Sequence, residues 1–360
     1  MLKERLHFLK GNITHKLLRK PKIFWATIYL TYACNYRCKH CYGKYGETYG
    51  VGQNSGITLD FSQIKFIVGK LKQYGCCYIS LLGGEPLLHR DIKEIIKLIK
   101  SCGMELSIIT NGSLVKRKMD EIKEVSNLTL SIDGNEDAND FLRGGGAYMR
   151  SLEAIAEAKK HRINCHINVT IYKQSINNMD NLFEYAKANK IYLGFCPLMY
   201  QSYLNDSEEY LRPSDEDYRR FYAKIILLKN NTYPIIYSIE AYKTLLNWSD
   251  FNRVVILKDE PLDLKKINFP SCRAGNDYIY IGAKGDVYPC SQLIGTNIFN
   301  PKNIFNDGFE AAWEHAKDLP CKACTSIGFL DVNMILSLKL RPSFAMINQS
   351  FKEFRYSRRR

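Results

Sequence analysis

Thr31-Tyr-Ala-Cys-Asn-Tyr-Arg-Cys-Lys-His-Cys-Tyr42 places Cys34, Cys38 and Cys41 on one short loop. Three thiolates this close in sequence can converge on one metal centre. An iron–sulfur cube has four irons, so a loop that supplies three sulfurs leaves one iron free for a ligand that is not protein. The stretch therefore predicts a three-cysteine cluster site with one open iron.

Structural zinc is the competing interpretation of these cysteines, with His40 as a fourth ligand. A structural zinc site closes its tetrahedron with local ligands, and two C-x2-C pairs would suit it better. No second pair lies near this loop in the sequence. The spacing therefore favours the cluster.

From Thr58 onward, segments with helical periodicity alternate with short apolar segments that are typical of strands. The predicted strands are 24–30, 77–82, 105–110, 128–133, 164–171 and 191–196, and the predicted helices are 60–73, 92–102, 116–125, 148–161 and 179–189. This alternation predicts a parallel sheet with helices outside, and six units suit a partial (β/α)6 barrel better than a closed eight-stranded one. Ligands sit at the carboxyl ends of such strands, where the motifs of this chain fall.

The C-x3-C-x2-C spacing after an apolar strand resembles the signature of radical S-adenosylmethionine (SAM) enzymes. The resemblance implies a partial barrel and a 4Fe-4S cluster whose free iron chelates SAM. It also implies reductive cleavage of SAM to a 5'-deoxyadenosyl radical that takes a hydrogen atom from the substrate. His40 is a departure, because that position is usually aromatic and lies near adenine. An imidazole can still stack there.

Gly83-Gly84-Glu85-Pro86 follows the second predicted strand. Two glycines let a ligand approach the backbone closely, and a carboxylate beside them can pair with an ammonium group. The segment resembles the GGEP motif of the family, which holds the methionyl amine of SAM. The resemblance implies that role for Glu85, whereas the alternative is a turn that carries a charge.

A third motif joins Ser131-Ile-Asp-Gly134 to Asn139-Asp-Phe-Leu-Arg-Gly144. It resembles a segment in which related maturases grip the SAM carboxylate with a serine and an arginine. The resemblance assigns these roles to Ser131 and Arg143, and an arginine fork is a natural bidentate partner of a carboxylate. A solvated arginine in a turn is the alternative. The candidates for contacts with the SAM ribose are Asn111 and Asn168.

A second group of cysteines lies near the carboxyl terminus, in the pattern C-x12-G-x4-C followed by C-x2-C. The four cysteines are Cys272, Cys290, Cys321 and Cys324. Strand patterns at 278–281 and 286–288 flank a glycine and predict a β-hairpin between the first two. The spacing alone leaves a zinc ribbon open.

The opening of this second group is similar to that of the radical SAM subfamily with a SPASM or twitch domain. The similarity implies an auxiliary 4Fe-4S cluster held by the four cysteines. SPASM domains carry further cysteines for another cluster, and none follows Cys324, so the shorter twitch form is implied. The predicted domains are a basic amphipathic segment at 1–22, the radical SAM core at 23–212, a helical connector at 213–270, the twitch domain at 271–330 and a second basic amphipathic segment at 331–360.

The net charge of +14 is concentrated at the two ends. Residues 1–22 and 339–360 each carry seven Lys or Arg against one Glu, among apolar residues at helical spacing. Two interpretations remain open: the apolar stripes pack on the barrel with their charges solvated, or they lie on an anionic membrane. Such stripes favour a lipid interface over a phosphate backbone alone, which argues against nucleic acid as a partner.

Twelve cysteines without a signal peptide or a long apolar run predict a reducing, cytoplasmic location, with a peripheral membrane contact as the open alternative. The predicted function is SAM-dependent radical oxidation or cross-linking of a substrate, with a flavodoxin- or ferredoxin-type protein as reductant. The substrate stays open among small molecules, lipid-linked compounds, sugars, nucleotides and peptides. Few residues precede Cys34, so a peptide maturase would need a separate recognition protein. A non-catalytic iron–sulfur electron carrier or redox sensor is the alternative from another class.

Overall fold

A computed structural model describes residues 22–41, 56–198, 206–261, 264, 266–267, 269–337 and 342–343. Nine strands form one sheet in the order β10-β9-β8-β1-β2-β3-β4-β5-β6, and β7 and β11 form a small separate sheet. The strands are β1 Trp25–Tyr29, β2 Tyr78–Leu82, β3 Glu105–Thr110, β4 Asn127–Ser131, β5 Asn164–Ile171, β6 Tyr192–Pro197, β7 Val255–Leu257, β8 Tyr278–Ile281, β9 Asp286–Tyr288, β10 Lys302–Asn303 and β11 Cys321–Cys324.

Helices connect the strands and cover the sheet with amphipathic faces. They are α1 Phe61–Gln73, α2 Ile92–Ser101, α3 Met119–Ile122, α4 Glu136–Arg143, α5 Ala147–Lys160, α6 Lys173–Asn177, α7 Asp180–Asn189, α8 Asp215–Asn230, α9 Ile239–Leu246, α10 Phe309–Ala316 and α11 Ile327–Leu336. Helix α2 shows the pattern, since its four isoleucines are buried on one face and its lysines point outward. Helix α1 begins at a capping box between Asp60 and Gln63.

Strands β1 to β6 pair in parallel and in chain order, which is the predicted partial (β/α)6 arc. The arc does not close in the strand pairing of the described residues, because the second edge of β1 is taken by β8. Successive parallel strands point their carboxyl ends to one edge, so the loops after β1, β2, β3 and β4 meet there. The predicted fold class is confirmed.

The predicted hairpin is β8 and β9, with the predicted bounds. It continues the core sheet, because β8 pairs in parallel with β1 in the register Trp25↔Tyr278 and Thr27↔Tyr280. Strand β7 lies inside the predicted connector and yet pairs with β11 of the predicted twitch domain. Helix α11 also continues past residue 330. The structural units therefore cross the predicted boundaries at 270 and 330.

Two local predictions differ from the structure. The helix predicted at 116–125 shrinks to α3, a single turn, because the preceding residues 113–118 form turns that begin at Gly112 with a positive φ. Helix α4 was not predicted, although Asn135 caps it by accepting a hydrogen bond from Ala138 N. The Gly- and Tyr-rich loop at 43–55 and the basic segments at 1–21 and 344–360 lie outside the described residues. No helix in the described ranges is long and apolar enough to cross a membrane.

Candidate functional site

The three cysteines of the loop after β1 line one cavity at the carboxyl ends of the strands. The motifs after β2, β3 and β4 contribute to the same cavity, as their predicted positions require. Its lining residues are Tyr32, Cys34, Tyr36, Cys38, His40, Cys41, Leu82, Gly83, Gly84, Ile109, Thr110, Asn111, Ser131 and Arg143. The cysteine loop and three motifs distant from it in sequence thus surround one space.

Gly83 and Gly84 hold the cysteine loop by direct backbone contact. Gly84 N donates to Thr31 O at 2.7 Å, and Glu85 N donates to Ala33 O at 2.8 Å. A Cβ atom on Gly84 would lie 2.2 Å from Ala33 O, and one on Gly83 would lie 2.4 Å from Thr31 O. The glycines were predicted for close approach of a ligand, whereas the closest backbone they admit is that of the cysteine loop.

Glu85 takes a position that the sequence did not indicate. Its side chain is fully buried and does not line the cavity. The carboxylate accepts hydrogen bonds from Thr110 Oγ1 at 2.7 Å, Asn111 N at 2.9 Å and Leu87 N at 3.1 Å. Burial raises the pKa of the carboxyl to about 7 against the effect of these donors. Glu85 therefore ties β2 to the end of β3, and its predicted pairing with an amine remains a prediction that this geometry does not favour.

Arg143 lies at the end of α4 and lines the cavity beside the cysteine loop. Its Nε donates to Asp133 Oδ2 at 2.6 Å, and both side chains are almost inaccessible. Asp133 Oδ1 also accepts from Thr170 N at 2.7 Å, which fixes the carboxylate to β5. Burial raises the pKa of the Cys38 thiol, and the Arg143 charge opposes that rise. The alternative of a solvated arginine is wrong.

Asp133 was not singled out from the sequence, although it stands inside the quoted Ser131-Ile-Asp-Gly134 segment. The nine residues between Asp133 and Arg143 gave no helical or strand spacing that would pair the two side chains. The available signal is Asn135, which is a favourable N-cap residue and begins α4. The last turn of α4 carries Arg143, which pairs with Asp133. Tyr36 was also missed; its hydroxyl accepts from Arg150 Nε at 2.7 Å and anchors the loop to α5.

The two candidates for contacts with the SAM ribose, Asn111 and Asn168, differ in their position relative to the cavity. Asn111 lines the cavity, and its Nδ2 donates to Asn35 Oδ1 at 2.9 Å and lies 4.0 Å from Cys34 Sγ. Asn168 does not appear in the lining, and its Nδ2 is directed at Cys196 Sγ at 3.6 Å. The structure thus brings Asn111 to the cysteines and leaves Asn168 outside the lining of their cavity.

His40 lines the cavity, with its Nδ1 buried and without a hydrogen-bond partner among the described residues. Burial, with the nearby Arg143 charge, lowers the pKa of the imidazole to about 4. A neutral ring at this position is compatible with stacking or hydrogen bonding to a ligand. The zinc role of His40 has no second ligand pair in this cavity to support it.

The second group of cysteines lines a separate cavity between the small sheet, β8 and α11. Cys272, Cys290, Cys321 and Cys324 all reach it, together with Tyr278 and Asn333. Tyr278 Oη lies 3.9 Å from Cys272 Sγ and donates to Asn333 Oδ1 at 3.3 Å. Four cysteines from three segments thus line one cavity, and their role as ligands of one cluster remains a prediction.

The donor sets fit iron–sulfur clusters. Tyr36 N donates to Cys34 Sγ at 3.4 Å, which is a hydrogen bond suited to a thiolate. Burial raises the pKa of Cys34 to about 11 and that of Cys321 to about 12, so thiolates at either site require a bound cation. Within the described part of the chain, no three His, Cys, Asp or Glu side chains are grouped closely enough for one metal ion.

Comparisons with known proteins agree with this architecture. Residues 28–186 match the Radical SAM superfamily model. The Fe-coproporphyrin III synthase of Methanosarcina barkeri is 29% identical over 48% of this chain and 42% of its own length, so the chain matches under half of that relative. The mycofactocin maturase MftC of Mycolicibacterium smegmatis is 26% identical over 84% of this chain and 74% of its own length.

Streptococcus suis SuiB bound to the precursor peptide SuiA has a similar fold, with a TM-score of 0.61 and 18% identity over 86% of this chain and 68% of that chain. Radical SAM proteins bind a 4Fe-4S cluster and SAM, and relatives of the SPASM and twitch type carry auxiliary clusters. The three-cysteine cavity and these matches identify residues 28–186 as a segment of radical SAM type, and most of the chain is similar to maturases such as MftC.

Proposed function

We propose that this chain is a radical SAM enzyme that oxidises or cross-links its substrate by removing two electrons. The single observation that supports this most strongly is the convergence of Cys34, Cys38 and Cys41 with Asn111 and Arg143 on one cavity. With a reduced 4Fe-4S cluster and SAM bound, such a site supplies a 5'-deoxyadenosyl radical, which takes a hydrogen atom from the substrate.

Different residues around the cavity would bind the cluster and the different parts of SAM. Cys34, Cys38 and Cys41 would hold the cluster through three irons. Arg143, fixed by Asp133, would present a cation to the SAM carboxylate from the wall next to Cys38. Ser131, Asn111 and His40 would supply the remaining polar contacts. The Gly83–Gly84 turn would hold the cysteine loop in place.

Cys272, Cys290, Cys321 and Cys324 would hold the auxiliary cluster. Four thiolates complete its protein ligands and leave no iron for direct binding of substrate. Electron transfer is therefore the role we assign to this site. An internal electron acceptor suits net oxidation: after hydrogen abstraction, loss of one more electron and one proton gives a double bond or a new bond. A flavodoxin- or ferredoxin-type protein would deliver and remove electrons.

A peptide substrate is the second, narrower proposal. It is favoured by SuiB, whose fold is similar and whose structure is bound to a precursor peptide. Lipid-linked, sugar and nucleotide substrates remain the alternatives, and the lipid-linked class would agree with a peripheral contact at an anionic membrane.

The experiment is anaerobic incubation of the iron-loaded protein with SAM, dithionite and a fractionated extract of cells that produce it. We expect 5'-deoxyadenosine to accumulate together with a compound that has lost two hydrogens, both detected by mass spectrometry. Fractions treated with a peptidase beforehand serve as the control for a peptide substrate. Formation of no 5'-deoxyadenosine by protein with both sites loaded would refute the enzymatic function and favour an electron carrier.

A further inference from the structure

A row of aromatic side chains follows the seam where the core sheet meets the auxiliary domain. The row consists of Trp25 and Tyr29 on β1, Tyr278 and Tyr280 on β8, Tyr32 after β1 and Phe329 on α11. Side chains two or four positions apart in a strand share a face of the sheet. The parallel register Trp25↔Tyr278 and Thr27↔Tyr280 therefore places the four strand aromatics of the row side by side.

The rings of the row are in continuous contact. Ring centroids are 5.6 Å apart between Tyr278 and Trp25, and 5.8 Å apart between Trp25 and Tyr280. The row continues from Tyr280 to Tyr29 at 6.4 Å and from Tyr29 to Tyr32 at 6.3 Å. These separations are those of directly packed aromatic pairs.

Phe329 provides a second path of ring contacts between Tyr278 and Tyr280. Its ring stacks on Tyr278 at 5.5 Å and meets Tyr280 edge-on at 5.9 Å. Trp25 is therefore bypassed by a second contact path. Tyr280 is not bypassed, since among the described ring contacts it alone joins Tyr29 to Trp25 and Phe329.

The two ends of the row reach the two cysteine cavities. Tyr278 lines the four-cysteine cavity, with its hydroxyl 3.9 Å from Cys272 Sγ. Tyr32 lines the three-cysteine cavity together with Cys34. Gly282 leaves the room for Tyr32, because a Cβ atom there would lie 2.5 Å from the Tyr32 hydroxyl.

We propose that this aromatic row is the electron route between the two cysteine sites. The inference rests on the proposed function and adds its path. After the substrate has given a hydrogen atom to the adenosyl radical, it loses one proton to solvent or a base and one electron. That electron passes from the wall of the three-cysteine cavity at Tyr32 to the auxiliary site at Tyr278. The auxiliary site then passes it to a flavodoxin- or ferredoxin-type acceptor.

Packed π-systems suit this role because electronic coupling between sites decays with the gaps that the electron must cross, and this row leaves no gap wider than a ring contact. The rings therefore act as coupling elements between the two sites.

The test compares Tyr280→Leu, which interrupts the row, with Tyr280→Phe, which keeps the ring. Phe195→Leu is the matched control, because Phe195 is also buried and its ring contacts, to Phe183 and Phe221, lie outside the row. Each protein is loaded with iron and sulfide and given less than one electron per chain by a light-activated deazaflavin. Freeze-quench electron paramagnetic resonance then follows the movement of the electron between sites. Variants that lack one set of cysteines supply the reference spectrum of each site.

We expect the fast exchange between the sites to be lost in Tyr280→Leu, by more than an order of magnitude in rate, and kept in Tyr280→Phe and Phe195→Leu. If Tyr280→Leu does not take up iron and sulfide at both sites, Tyr29→Leu replaces it, because Tyr29 is the ring between Tyr280 and Tyr32. We expect the same loss of fast exchange in Tyr29→Leu. Exchange at the parent rate in a fully loaded Leu variant would overturn the proposal. The measurement uses no SAM and no substrate, so it is independent of whether the chain makes 5'-deoxyadenosine.

Discussion

Glu85 connects the motif after β2 to the backbone at the end of β3, and it does so as a buried carboxyl with three donors around it. Arg143 and Asp133 connect α4 to β5 in the same manner, as a buried pair next to Cys38. At the residue scale, the cavity is therefore held by polar side chains that face the protein. The side chains left to face a ligand are Ser131, His40, Asn111 and the remaining donors of Arg143.

The buried carboxyl of Glu85 predicts a pH dependence of stability. Its pKa is raised from 4.5 to about 7 in the folded chain, so its contribution is complete below pH 4.5 and is lost as the pH rises through 7. Relative to Glu85→Gln, which cannot titrate, the parent should lose about 3 kcal/mol of stability between pH 4.5 and 7.5. Urea unfolding of both proteins across this range is the measurement. A difference that stays constant or grows in favour of the parent would contradict the raised pKa.

The buried pair predicts a large coupling between Asp133 and Arg143. Arg143→Met leaves a buried charge without its partner and should cost about 3–5 kcal/mol, much of which the double change with Asp133→Asn should restore. The exposed pair of Lys224 and Asp180 has the same 2.6 Å separation and is the control, with an expected coupling of about 0–1 kcal/mol. A double-mutant cycle by urea unfolding measures both. Equal couplings for the two pairs would show that burial is not the cause.

At the scale of elements, the cysteine loop is positioned by the turn after β2, and the auxiliary domain is positioned by the seam between β1 and β8. Both contacts are made by backbone atoms. A side chain added at the first contact would displace the loop that carries all three cysteines. Breaking the second would detach the hairpin from the core sheet.

Gly84→Ala is expected to damage the three-cysteine site selectively. The new Cβ would overlap Ala33 O and Tyr32 O, and overpacking of this kind costs about 1–3 kcal/mol. Gly69→Ala is the matched control: Gly69 lies in α1 with open space around it, so the change should stabilise the chain by about 0.5–1 kcal/mol. Iron content and melting temperature are the readouts. Full iron loading of Gly84→Ala would show that the loop tolerates the shift.

The sequence predicted the order and type of most core elements because helical and strand periodicities are local signals. Strands β3 and β5 have their predicted bounds, and so does the β8–β9 hairpin. The pairing of β1 with β8 was not predictable, because a contact between residues 25 and 278 leaves no mark on either stretch alone. The cavity's cysteines were predicted by spacing, whereas the inward orientation of Glu85 depends on donors from another strand.

In the molecule as a whole, one continuous sheet borders both cysteine cavities. Its strand β1 leads directly into the three-cysteine loop and pairs with β8, which borders the four-cysteine cavity. Residues 1–21 and 344–360 of the two basic segments lie outside the described residues. Their function is therefore addressed by experiment.

The basic ends predict salt-sensitive binding to anionic vesicles if they form membrane-facing helices. Each basic residue near such a surface contributes about 1 kcal/mol before screening, so two segments with seven each would suffice. Co-sedimentation at low and high salt compares the full chain with one that lacks residues 1–20 and 343–360. Equal binding of the shortened chain, or no binding of the full chain at low salt, would assign the ends to packing.

We propose that the loop of Cys34, Cys38 and Cys41 carries the cluster that cleaves SAM, and 5'-deoxyadenosine formation in paired cysteine variants measures whether it does. We predict that the triple change to Ala in this loop abolishes 5'-deoxyadenosine, measured by mass spectrometry after anaerobic incubation with SAM and dithionite. The triple variant should keep the iron of its other site, about four atoms per chain. The same change of Cys272, Cys290, Cys321 and Cys324 should leave SAM cleavage in place. Undiminished 5'-deoxyadenosine from the triple variant would contradict the account.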